Sequence, residues 1–144
     1  MVTNQKQYKI TLGHISNFEK ALKALSLSEE AKKAHPLRRK LHEDALQSQL
    51  DTLREEVAAF ERLTEHGDEP HEVGSLAGLA EGLIKARIAA GLTQKQLAER
   101  LGIKEQQIQR YEASSYRAAS LERVREVMDA LGIDVEGRLV RKAA

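Results

Sequence analysis

Residues 93–113, TQKQLAERLGIKEQQIQRYEA, constrain the fold more than any other stretch of the chain. Apolar side chains fall at Leu97, Ala98 and Leu101, then at Ile108 and Tyr111, with Gly102 between the two sets. Such spacing on either side of a glycine predicts two short helices joined by a tight turn. Thr93 supplies an N-cap oxygen for the first helix, Gln94 to Leu101. Ala98 is small enough for the two helices to approach closely, and Ile103 plugs the turn. The second helix runs from Lys104 or Glu105 to Ala113 and turns Ile108 and Tyr111 inward.

The flanks extend this pattern into a small helical domain over residues 76–133. Leu79, Leu83, Ile84, Arg87 and Ile88 lie along a preceding helix that stops at Gly91, a residue suited to a left-handed C-terminal cap. Ser120 caps a following helix, whose Leu121, Val124, Val127, Met128 and Leu131 close the core before Gly132 ends it. The tail, residues 134–144, continues an apolar alternation from Ile133 to Val140 that permits a short strand or a frayed end.

The N-terminal part, residues 1–66, reads as a separate helical module. Tyr8 to Leu12 alternates weakly, which predicts an extended start. Ile15, Phe18, Ala21, Leu22 and Leu25 then mark an amphipathic helix from Gly13 to Leu27, and the polar stretch from Ser28 to His35 reads as a connection. Pro36 opens a long helix to about Glu65, a position where its missing N–H costs nothing. Along it Leu46, Leu50, Leu53, Val57 and Phe60 form a heptad seam with charged flanks, so this module is a helical hairpin or coiled coil. The seam either packs on the first helix of the same chain or forms the dimerisation surface with a second subunit. Residues 67–75, rich in Gly, Pro, His and acids, are the linker.

Composition agrees with an all-α chain. Aromatics make up 3% and Trp is absent, so Leu, Ala, Ile and Val must build the core. The charge is unevenly spread: residues 1–75 hold 11 Lys/Arg against 13 Asp/Glu, residues 76–144 hold 12 against 9. The C-terminal part is thus the basic one, suited to a phosphate backbone.

On Thr93-Gln94, Leu97-Ala98, Gly102, Ile108 and Glu112, residues 79–132 resemble the XRE-type, lambda-repressor-like helix-turn-helix domain of phage repressors and many bacterial regulators. The resemblance implies that the second helix of the motif docks in the major groove of double-stranded DNA. Glu105, Gln106 and Arg110 would then face base edges, with Gln107 and Gln109 beside them. Glutamine can pair bidentately with adenine and arginine with guanine. Gln94 would bind a phosphate, as would Lys95 and Arg100. Two features depart from the family pattern. Lys104 stands where a hydroxyl residue often caps the recognition helix, and it would contact a phosphate instead. The loop ASSYRAAS replaces a short glycine turn, and its Ser114, Ser115, Tyr116 and Arg117 either touch the DNA backbone or are solvated.

The expected function is a sequence-specific regulator, a homodimeric repressor on a palindromic operator, because two half-sites double the contacts of one monomer. The alternative is the antitoxin of a type II pair, neutralising a toxin protein through its N-terminal helices while silencing its own operon. The absence of cysteine excludes disulfides, thiolate metal sites and cysteine nucleophiles, and fits a cytoplasmic location. No apolar run suits a membrane span. His66 and His71 lie in the linker without defining a ligand face, and no catalytic or cofactor motif is present, so neither enzyme, metal nor cofactor is expected.

Overall fold

A computed structural model describes residues 1–67 and 72–141, and every regular element among them is a helix. The chain divides into two units, Met1–Glu65 and His66–Ala144. No helix among the described residues is long and apolar enough to cross a membrane.

The first unit is an antiparallel hairpin of α1 (Gln5–Leu27) and α3 (Pro36–Glu65), joined through the short α2 (Glu29–Lys33). Helix α1 starts eight residues before the expected Gly13, so Tyr8 to Leu12 is helical rather than extended. The cause is a cap that periodicity alone does not reveal. Asn4 Oδ1 accepts the Gln7 amide at 2.9 Å, and Gln7 Oε1 in turn accepts the Thr3 amide at 2.8 Å. Starting from this cap, Tyr8, Thr11, Ile15, Phe18, Leu22 and Leu25 form one inward stripe at steps of three and four. The connection after Leu27 also holds a helix, because Ser28 Oγ caps it by accepting the Ala31 amide at 3.2 Å.

The heptad seam of α3 lies against α1 of the same chain. Leu50, Val57 and Phe60 are buried there, and Leu46 and Leu53 are half-buried. Tyr8 stacks on Phe60 with ring centres 5.3 Å apart, and its hydroxyl donates to Glu61 at 2.7 Å. Arg54 reaches Glu19 at 2.7 Å, and the Met1 ammonium reaches Glu56 at 2.9 Å. The five residues expected to pair subunits are therefore engaged within the monomer. The unit also lacks the acidic excess of the N-terminal part: residues 1–65 carry 11 Lys/Arg and 10 Asp/Glu, and the surplus belongs to Asp68, Glu69 and Glu72.

The second unit packs α4 (Leu76–Ala89), α5 (Gln94–Arg100), α6 (Glu105–Ala113) and α7 (Leu121–Leu131) around Leu83, Ile84, Ile88, Leu97, Ile108 and Val127. Of these, Leu97, Ile108 and Val127 are 0% exposed. Leu121, expected in this core, is 80% exposed. It lies in the first turn of α7, and inward packing begins one turn later with the half-buried Val124. Of the linker residues, Asp68 to His71 lie outside the described residues. Its described ends pack on α4. A Cβ on Gly67 would come within 2.5 Å of the Ala89 carbonyl oxygen, and the half-buried Val73 lies against Gly82. The tail forms no strand over residues 133–141.

All four helices of this unit end in the same hydrogen-bond pattern. Leu92, Ile103, Tyr116 and Ile133 each donate to the carbonyl five residues back, at 3.1, 3.0, 2.7 and 3.1 Å. The preceding residue in each case donates to the carbonyl three residues back, which completes a Schellman motif. That preceding residue must adopt a left-handed backbone. Gly91, Gly102 and Gly132 do so at φ 66°, 64° and 68°. At the end of α6 the position is Ser115, at φ 49°, followed by Tyr116 at φ 55°.

Candidate nucleic-acid interface

The site is built from the N-terminal ends of α5 and α6. Thr93 and Gln96 form a reciprocal capping box at α5: Thr93 Oγ1 accepts the Gln96 amide at 3.1 Å and Gln96 Oε1 accepts the Thr93 amide at 2.9 Å. Gln94 follows at the first helical position. Lys104 precedes helix α6 at its N-cap position and its side chain, which has no acceptor, makes no capping hydrogen bond. Ile108 and Glu112, four residues apart, face the interior of the unit. Half a turn away, Gln106 and Arg110 form the centre of the outward face, flanked by Gln107 and Gln109, and all four are exposed. Gln109 Nε2 donates to Glu105 Oε1 at 3.0 Å along the helix edge, so these two side chains hold one another.

Beneath this face lies a buried ionic cluster that sequence reading did not single out. Arg87 of α4 and Glu112 of α6 form a two-pronged pair in which Nη2 donates to Oε2 at 2.8 Å and Nε donates to Oε1. Arg87 Nη1 also donates to the Leu92 carbonyl at 2.7 Å, tying the pair to the turn before α5. Gln94 Nε2 completes the cluster, donating to Glu112 Oε2 at 2.7 Å. Three helices are thereby fixed through one carboxylate, and the Gln94 amide is held in a single orientation at the start of α5. A charge buried to this degree survives only with such partners. The signal was legible: an arginine among Leu83, Ile84 and Ile88 on an inward helix face demands an acid opposite.

The expected phosphate contacts fare unequally. Gln94 sits at the α5 terminus, Lys104 at the α6 terminus, and Lys95 and Arg117 are exposed. Arg100 instead donates to the Ala130 carbonyl at 3.0 Å, where its charge offsets the negative end of α7. Tyr116 departs furthest from expectation. Its ring is 5% exposed and stacks on Tyr111 with centres 5.9 Å apart, so it belongs to the core of the unit. Burial, reinforced by the Glu112 carboxylate, pushes its phenol well above the ordinary tyrosine range. Ser114 turns back as well, its hydroxyl donating to the Tyr111 carbonyl at 3.2 Å.

Residues 83–137 match a family model described as helix-turn-helix. The match runs from the second half of α4 through the recognition helix into the tail. No curated protein and no solved structure matches the chain.

Proposed function

The C-terminal unit is an XRE-type helix-turn-helix DNA-binding domain, and from that premise we propose that the chain is a sequence-specific repressor that binds a palindromic operator as a pair. One observation carries the reading. Gln106 and Arg110 lie a turn apart on the outward face of α6, and packing requires neither of them. Glutamine and arginine are the side chains that read adenine and guanine in the major groove. Gln94, Lys95, Lys104 and Arg117 surround this face as phosphate contacts that fix register without carrying sequence information. The Arg87–Glu112–Gln94 cluster holds α4, α5 and α6 in one geometry, which base readout requires. Repression then follows by occlusion of a promoter.

The decisive experiment is a footprint on DNA upstream of the chain's own gene, followed by variants. Gln106→Ala and Arg110→Ala each weaken binding to the protected site by about 1–3 kcal/mol and binding to random DNA by less. Equal losses on both DNAs would remove the two residues from base readout. An antitoxin that silences its own operon would use the same unit. Co-expression with the product of the neighbouring gene separates the two roles: a complex that persists through size exclusion favours the antitoxin, and its absence the repressor.

A further inference from the structure

The outward face of α6 carries an acid. Glu105 stands exposed at the first position of the helix, between Lys104 and Gln106. No cation among the described residues pairs with it, and Gln109 Nε2 donates to its Oε1 from one turn further on. Packing does not call for this residue, because the side chains that α6 buries in the unit are Ile108 and Glu112. Helix stability explains it in part, since a carboxylate beside N-terminal amides is favourable. Affinity for DNA argues against it. A carboxylate on a DNA-facing surface is repelled by phosphate at every sequence, so it weakens non-specific binding. That loss is offset only where a base offers the carboxylate a hydrogen-bond donor.

We propose that Glu105 is a specificity-determining residue that selects cytosine at one position of each half-site, with Gln109 as its positioning residue. The inference rests on the DNA-binding reading above and adds to it the base that one side chain selects. The choice follows from what each base presents in the major groove. Guanine presents two acceptors, O6 and N7, and thymine presents the O4 acceptor beside a methyl group, so neither suits a carboxylate. Adenine offers its N6 amino group, but the N7 acceptor lies on the same edge. Cytosine alone offers a donor, N4, with no acceptor beside it on the same base. A carboxylate carries acceptors only. Glutamine at the same place would carry a donor as well and would match adenine instead. The Gln109 amide engages Oε1 and restricts the carboxylate, which leaves Oε2 to accept from the base.

The test selects binding sites from a random duplex library with the full native chain and with variants, then measures affinity for the selected site and for random DNA. The native chain is expected to return cytosine at one position of each half-site. Replacing that base pair costs the native chain about tenfold in affinity and costs Glu105→Ala little. Glu105→Gln moves the preference at that position to adenine and leaves the other positions unchanged. Glu105→Ala abolishes the preference there and binds random DNA about threefold tighter, an effect that fades with salt. Gln109→Ala keeps cytosine but narrows its advantage over the other bases at that position alone. A role confined to the helix end would lower the melting midpoint of the Glu105 variants and leave the selected site unchanged, which overturns the proposal. A native site in which the position controlled by Glu105 is guanine, thymine or adenine overturns it as well. A site altered by Arg110→Ala but by neither Glu105 variant sinks the cytosine assignment and leaves the DNA-binding reading standing. A native chain that selects no sequence overturns both.

Discussion

The two units bury their side chains in opposite styles. In the second, Leu97, Ile108 and Val127 are wholly enclosed by four helices, and an ion pair sits among them. In the first, two long helices share one seam, and Phe18, Leu22, Leu25, Leu46, Leu53 and Leu63 remain only half-buried. The ion pairs follow the same division. Arg87 and Glu112 are 2% and 3% exposed in their side chains, while Arg54 and Glu19 are 52% and 49% exposed. Four short helices can surround a centre and two long ones cannot, so the reading unit is self-sufficient and the hairpin gains from further cover. That difference gives the outward face of α6 a rigid support.

The sharpest way to break the comparison is to remove one member of each ion pair. Glu112→Ala leaves the Arg87 guanidinium buried without its counter-charge and is expected to destabilise the second unit by about 3–5 kcal/mol. Arg54→Ala removes a solvated pair and costs about 0–1 kcal/mol. Peptide-resolved hydrogen exchange reads both, with lost protection concentrated in α4 to α6 for the first variant. Comparable losses for the two would mean that the burial contrast has no energetic meaning. A second test compares seams: Leu97→Ala should cost about 2–5 kcal/mol because four packed helices cannot collapse onto the void. Leu46→Ala, at a half-exposed position of the hairpin, should cost clearly less in the same denaturant titration, since part of its surface is already in water.

Much of this contrast was legible in the chain because it rests on strong local chemistry. Three glycines mark three helix ends, Thr93 and Ser120 mark two beginnings, and apolar residues at helical spacing, Leu83, Ile84 and Ile88 on α4 and Val124, Val127 and Leu131 on α7, mark the core. The candidate reading face was legible as well, since polar side chains on an amphipathic helix lie opposite its apolar stripe. What escaped depends on partners distant in sequence or on unusual backbone. The first two turns of α1 are held by Asn4 and by Tyr8 on Phe60, and the polar run from Thr3 to Lys9 gives little sign of either. Arg100 resembled a surface cation until α7 supplied a carbonyl thirty residues away. Tyr116 looked like a loop residue free to touch DNA. Its burial follows from two consecutive left-handed residues, which local preference disfavours for both serine and tyrosine.

That loop also carries the smallest predicted effect. Three of the four helix ends in the second unit place glycine at the left-handed position, and the fourth places Ser115 there at φ 49°. An L-residue in this conformation is disfavoured by about 1–2 kcal/mol, which glycine avoids while losing somewhat more entropy on folding. Ser115→Gly is therefore expected to stabilise the unit by about 0.5–1 kcal/mol, raising its melting midpoint by roughly 2–8 °C. The hydroxyl removed is exposed and accepts no hydrogen bond from the described residues, so packing offers no compensation for keeping serine. A functional reason then predicts a second consequence: the stabilised variant binds operator DNA more weakly, with a similar loss on random sequence, as for a contact to phosphate. Stability gained with affinity unchanged would mark Ser115 as an idle departure from the glycine rule. Stability lost would mean that the fourth helix end is held by forces the other three do not share.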